Sequence, residues 1–213
     1  MVMVKICGIT RVEDLESTVK AGADFIGFVV NVPSSPRNID INEATCLLSS
    51  LPSSVKSVIV TVPKSLKDLD KIMKLNPDYI QLHGETYLLM RSAEKVPKEK
   101  TIGVVNAKLP NALDIAVKYS ELFGIVLLDS LKDSWLGGSG EPHDWRLSKI
   151  IRDRLYPKPI ILAGGLTPEN VADAVNIVKP YGVDVSTGVE AKPGVKDPEK
   201  VSKFIRRAKE AGI

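Results

Sequence analysis

A thiol, a carboxyl, a guanidinium and an imidazole follow short apolar runs in this sequence, and glycine-rich turns follow the last two such runs. Cys7 closes a run and precedes Gly8, so its thiol is expected to face outward from the run's end; the alternative is a buried filler cysteine, the role expected of Cys46 on an apolar helix face. Asp129 follows Gly124-Ile125-Val126-Leu127-Leu128, where desolvation would raise its pKa and suit it to donate a proton. It could equally cap a helix or order a turn. Arg37 stands behind the stiff Pro33-Ser34-Ser35-Pro36 loop, as a clamp for a carboxylate or as one half of a structural ion pair. His83, after Tyr79-Ile80-Gln81-Leu82, could bond a ligand or a neighbouring carbonyl. At Gly164-Gly165 and Ser186-Thr187-Gly188 main-chain amides can approach an anion closely, which reads as a phosphate site, with simple tight turns as the other reading.

Groups so far apart in the chain converge only if a sheet aligns the ends of the runs that carry them. The runs predict eight strands: Met3–Cys7, Phe25–Val30, Ser57–Val62, Tyr79–Leu82, Thr101–Val105, Gly124–Leu128, Pro159–Leu162 and Val183–Ser186. Helices are expected to start near Val12, Asn42, Leu66, Tyr87, Asn111, Trp145, Pro168 and Pro198, with Thr167 capping the one at Pro168. Eight βα units in 213 residues predict a single-domain (β/α)8 TIM barrel over residues 1–213 with eight parallel strands, in preference to an open doubly wound sheet. Such a barrel gathers the residues after each strand at one mouth.

Composition narrows the partners. Lysine and arginine (29) barely exceed aspartate and glutamate (26), and the basic residues are scattered, which argues against a nucleic-acid protein. Two cysteines and two histidines without ligand spacing suggest neither a metal site nor a disulfide framework. No apolar run approaches the roughly 20 residues of a membrane span, so a reduced, cytoplasmic protein is expected. A homodimer is left open, because an exposed apolar helix face could serve as an interface.

The motifs occur together and in order: Val4-Lys5-Ile6-Cys7-Gly8, Ser35-Pro36-Arg37, Gln81-Leu82-His83-Gly84, Leu128-Asp129-Ser130, Asp144-Trp145, Leu162-Ala163-Gly164-Gly165 and Asp184-Val185-Ser186-Thr187-Gly188-Val189-Glu190. From end to end the chain resembles the phosphoribosylanthranilate isomerases of tryptophan biosynthesis. The resemblance implies an Amadori rearrangement of N-(5-phosphoribosyl)anthranilate to 1-(2-carboxyphenylamino)-1-deoxyribulose 5-phosphate, without cofactor or metal. It also implies Cys7 as general base, Asp129 as general acid, Arg37 on the anthranilate carboxylate, and the two glycine-bearing segments on the phosphate. The base needs a nearby cation, Lys5 or the reaction's own iminium, to favour its thiolate. The loop at Gly137-Gly138-Ser139-Gly140 is expected to close over the substrate. Three positions depart from the family pattern: His143 where an aromatic usually precedes Asp144-Trp145, Val29-Val30-Asn31-Val32 in strand two, and Val60-Thr61-Val62-Pro63 in strand three. The alternatives are the histidine-pathway sugar isomerase, which resembles this chain but typically has an aspartate where Cys7 stands, and a non-catalytic sensor of a phosphorylated ligand.

Overall fold

The computed structural model describes residues 1–84, 86–131 and 142–212. Its eight barrel strands are β1 (Met3–Cys7), β2 (Phe25–Val30), β3 (Lys56–Thr61), β4 (Tyr79–Leu82), β5 (Thr101–Asn106), β6 (Ile125–Asp129), β7 (Ile160–Leu162) and β8 (Gly182–Val185). Each pairs in parallel with its successor, and β8 pairs with β1, so the sheet closes. Every boundary falls within one residue of the expected one, because each strand is a short apolar run bounded by polar or turn-forming residues. The helices between them are α1 (Val12–Lys20), α2 (Ile41–Ser49), α3 (Leu66–Met73), α4 (Thr86–Lys95), α5 (Ala112–Leu122), α6 (Trp145–Leu155), α7 (Val171–Val178) and α8 (Pro198–Ala211).

Alternation along the strands divides the core into two layers. One face of each strand packs under the helices, as Val4, Ile6, Ile26, Phe28 and Leu128 do, with Phe204 of α8 in the same cluster. The other fills the barrel with Phe25, Val58, Ile102, Val104, Leu127 and Ile161, and Cys7 closes this inner layer at the mouth. Burying a large aliphatic or aromatic side chain contributes about 1.5–3 kcal/mol, so these layers hold the strand ends in place.

Two expectations are corrected. α7 begins at Val171, three residues after Pro168, because Thr167 Oγ1 accepts from the Glu169 amide (3.2 Å) while Asn170 Oδ1 accepts from the Thr167 amide (2.8 Å). The segment is curled into a turn, and Asn170 takes the cap position. Cys46 is exposed: Ala44 and Leu47 form the buried face of α2, and Cys46 lies on its solvent side. The α8 start agrees with expectation, with Asp197 accepting from two amides and Pro198 in the first turn.

Two small additions surround the mouth. Asn38–Ile39 pairs with Val29 and Val30, laying the Arg37 loop beside β2. After β8 comes a single 3-10 turn at Thr187–Val189, then an antiparallel pair of Glu190–Lys192 with Val195–Lys196. No helix among the described residues is long and apolar enough to cross a membrane.

Candidate active site

Because β1 alternates, Lys5 and Cys7 share the inward face, and Lys5 has no exposed surface. Its Nζ donates to Asp184 Oδ1 on the adjacent β8 at 2.9 Å, and the Cys7 side chain is near enough to act on its charge. A Cβ at Gly27, opposite Cys7 on β2, would lie 2.8 Å from Cys7 Sγ and 3.2 Å from Lys5 Nζ, so only glycine leaves the pair its space. Burial opposes the charge on Lys5, but Asp184 and Cys7 outweigh it and hold the ammonium pKa above its usual value.

Asp129 ends β6, half-buried at the mouth, and its Oδ1 accepts from the Ser130 amide at 2.7 Å. This is the turn-ordering role considered from the sequence, and it leaves the other carboxyl oxygen available. Burial first, and the charge of Asp184 second, push its pKa up to about 6, against the pull of Ser130 and Lys5. Cys7 departs from expectation. Lys5 and then Lys196 pull its pKa down, but burial outweighs them and the net direction is up, so the resting side chain is the thiol.

Two hollows open at this end of the barrel. The first, of about 140 Å3, is lined by Gly164, Gly165, Thr167, Ser186, Thr187 and Gly188 among others. Gly164 and Gly165 hold φ of +81° and +67°, and a Cβ on Gly164 would fall 2.4 Å from the Ser130 amide nitrogen. At Gly188 a Cβ would meet the Leu166 carbonyl oxygen at 2.0 Å. The amides of Gly165, Thr187 and Gly188 have no acceptor among the described residues, which makes this lobe a cradle for an anion. The second hollow, of about 180 Å3, combines Val29, Val32, Val60 and Val62 with Cys7, Arg37, Gln81 and His83. Asp129, Asp184, Ser186 and Thr187 line both.

Arg37 sits in the second lobe but is already paired. Its Nε and Nη2 donate to Glu190 at 2.7 and 2.6 Å, and Nη2 also donates to Thr187 Oγ1 at 3.1 Å. The ion-pair alternative is therefore what the structure shows, and the remaining guanidinium nitrogen, Nη1, is what a ligand could engage. Glu190 holds the guanidinium pKa above its usual value. His83 lies buried at the same lobe, its Nε2 2.9 Å from Gln81 Nε2.

His143 is absorbed by packing. It is buried, with Nδ1 2.8 Å from Ser130 Oγ and Nε2 2.5 Å from Ser148 Oγ, and burial pushes its pKa down to about 4, so it is neutral at physiological pH. The imidazole thus joins the residue after Asp129 to the first turns of α6. The segment Gly137-Gly138-Ser139-Gly140 lies outside the described residues.

Sequence reasoning brought Cys7, Asp129, Arg37, His83 and both glycine-bearing segments to one mouth, and the structure places them there. It did not single out Asp184, Glu190 or Lys196, which the structure joins to Lys5 and Arg37 at this mouth. A signal existed for Asp184, since a charge inside Gly182-Val183-Asp184-Val185, on a strand covered on both faces, requires a partner. Glu190 stood only as the last residue of the Asp184-to-Glu190 motif, with no role attached, and nothing marked Lys196.

Residues 4–207 match the family model of N-(5'phosphoribosyl)anthranilate (PRA) isomerase. The chain is 41% identical over 210 residues to N-(5'-phosphoribosyl)anthranilate isomerase of Methanothrix thermoacetophila, covering 98% of this chain and 99% of that protein. The chain belongs to this family. The phosphoribosylanthranilate isomerase of Thiobacillus denitrificans is 42% identical, with 98% of each chain covered. The crystal structure of the Thermotoga maritima phosphoribosylanthranilate isomerase superimposes with a TM-score of 0.86 at 39% identity, over 99% of this chain and 100% of that one. A phosphoribosylanthranilate isomerase solved with reduced 1-(o-carboxyphenylamino)-1-deoxyribulose 5-phosphate gives 0.82 at 38%, with the same coverage. So complete a match to phosphoribosylanthranilate isomerases sets aside the histidine-pathway alternative.

Proposed function

We propose that this protein rearranges N-(5-phosphoribosyl)anthranilate to 1-(2-carboxyphenylamino)-1-deoxyribulose 5-phosphate in tryptophan biosynthesis, with residues 1–213 acting as one catalytic domain. The observation that carries the reading is the placement of Asp129, held near pKa 6, beside both lobes of a pocket whose second lobe holds Cys7. The phosphate occupies the glycine-lined lobe on Gly164, Gly165, Ser186, Thr187 and Gly188. The anthranilate ring lies among Val29, Val32, Val60 and Val62 in the other, near His83, with its carboxylate at the open end of Arg37. The sugar then spans the junction.

Ring opening needs a proton on the furanose oxygen as the C1–O bond breaks, and neutral Asp129 supplies it, leaving an iminium at C1. With a pKa of about 6, about one molecule in ten carries that proton at pH 7, far more than an ordinary aspartate would. Loss of the C2 proton to Cys7 then gives the enolamine, which tautomerises to the ketone. Burial keeps Cys7 protonated at rest, and Lys5 alone does not overcome it. The iminium completes the cationic surroundings a thiolate needs, and the Asp129 carboxylate that ring opening leaves, lining the same hollow, takes the thiol proton, so the thiolate is formed before it removes the C2 proton. Only protons move, which calls for neither a cofactor nor a metal. A sugar-phosphate rearrangement of this kind suits a cytoplasmic enzyme. A homodimer is the expected assembly, since a solved relative from Thermotoga maritima is described as dimeric.

The test is the decay of anthranilate-type fluorescence when purified protein meets freshly generated N-(5-phosphoribosyl)anthranilate, with Asp129→Asn as control. Fast decay in the wild type that the substitution abolishes is the expected result. No decay above background in the wild type would overturn the reading.

A further inference from the structure

The antiparallel pair Glu190–Lys192 and Val195–Lys196 stands outside the barrel, and its charged side chains converge on one guanidinium. Glu190 Oε1, which accepts from Arg37 Nε, also accepts from Lys196 Nζ at 2.9 Å and from the Gly194 amide at 3.3 Å. Lys196 has a fully buried side chain whose Nζ also donates to the Ser186 carbonyl at 3.2 Å. The hairpin is itself held. The Lys196 amide donates to Asp14 of α1 (2.9 Å), Thr10 Oγ1 donates to the Gly194 carbonyl (2.7 Å), and a Cβ on Gly194 would stand 3.0 Å from the Pro36 carbonyl oxygen. Its tip therefore packs on the loop that carries Arg37.

Two facts here call for one explanation. A guanidinium paired along its edge with a carboxylate forms a neutral unit that attracts a second carboxylate weakly. A lysine with no exposed surface is costly to bury, and burial does pull the Lys196 pKa down while Glu190 holds it up. The two answer each other: with Arg37 and Lys196 sharing Glu190, two cations face one carboxylate. The surplus positive charge stands behind the open end of Arg37, and Asp14 does not cancel it because Arg11 already pairs with Asp14.

We propose that Lys196 is a specificity-determining positioning residue: acting through Glu190, it anchors Arg37 and keeps the cluster cationic, so that the pocket selects an aromatic ligand bearing an ortho carboxylate. The proposal rests on the isomerase reading above. Lys196 touches no ligand itself, so its effect must depend on the ligand's carboxylate.

The experiment measures by calorimetry the Kd of two stable ligands, reduced 1-(o-carboxyphenylamino)-1-deoxyribulose 5-phosphate and its counterpart without the carboxyl group. Wild type and Lys196→Met are compared. The expected result is a loss of about tenfold to a hundredfold for the carboxylated ligand and under about threefold for the other. Lys196→Gln, which can still donate to Glu190 and Ser186 without the charge, gives the same split if Lys196→Met folds poorly. Equal weakening of both ligands, or no weakening, overturns the proposal while leaving the isomerase reading intact. A wild type that binds the two ligands equally removes the premise that Arg37 receives the carboxylate, and the proposal falls with it.

Discussion

The glycine-lined lobe and the arginine-bearing lobe share Asp129 and Asp184 but are made of different material. The first is main chain: amides at Gly165, Thr187 and Gly188, held by backbone that leaves no room for a side chain at Gly164 or Gly188. The second is side chain: Arg37, Glu190 and Lys196 above, Lys5 and Asp184 below, each held by partners distant in sequence. Amides bring an anion site that needs no counter-charge and does not titrate. Buried side-chain charges bring selectivity and proton chemistry, but they depend on complete pairing.

The largest effect should come where the two regions meet. Asp129→Asn is expected to lower kcat by about 10³-fold with little change in KM, because a positioned general acid contributes about 10²–10⁴. Stopped-flow or steady-state fluorescence measures it. A kcat near that of the wild type would take the acid role from Asp129. The same acid sets a pH limb: the wild-type rate should fall as pH rises through about 6, where Asp129 loses its proton.

Next comes the side-chain region. Lys5→Met leaves the Asp184 carboxylate buried without its partner and should cost about 3–5 kcal/mol of unfolding free energy, read by denaturant titration. A loss below 1 kcal/mol would show that water reaches Asp184 more freely than its burial implies. In the main-chain region, Gly188→Ala forces a methyl group against the Leu166 carbonyl and should cost about 1–3 kcal/mol. It should also weaken binding of inorganic phosphate, and unchanged phosphate binding would break the distinction drawn between the lobes.

The smallest effect concerns stability and pH. The Asp129 pKa is raised in the folded chain, so the folded state holds that proton more firmly than the unfolded one, whose carboxyl titrates near 3.9. Stability is therefore lost as pH climbs from about 4 to about 6. Asp129→Asn removes the penalty and should gain about 1–2 kcal/mol above pH 7, discounted because the carboxyl is half-open to the pocket, and nothing at pH 4. Thermal melts at the two pH values measure the difference.

What could be read in advance follows the same division. The strands were legible as short apolar runs, and the glycine-lined lobe because Gly164-Gly165 and Ser186-Thr187-Gly188 are local segments whose backbone demands show in their composition. Asp129 and Cys7 were legible as polar residues closing apolar strands. The tuning of Cys7 was not, because burial and the opposing charges of Lys5, Lys196 and Asp184 balance only in three dimensions. Nor was the Arg37–Glu190–Lys196 cluster, since Arg37 and Glu190 stand 153 positions apart and nothing in either neighbourhood names the other. The start of α7 was misplaced because Thr167 and Asn170 bond each other's segment and make a turn where a cap was expected.

The most direct test of the two-lobe account is a crystal structure with reduced 1-(o-carboxyphenylamino)-1-deoxyribulose 5-phosphate bound. The account predicts phosphate oxygens within hydrogen-bond distance of the Gly165, Thr187 and Gly188 amides, the ring carboxylate at Arg37, and Asp129 beside the sugar. A ligand bound in the opposite sense, with its phosphate on Arg37 and its ring against the glycines, would contradict it.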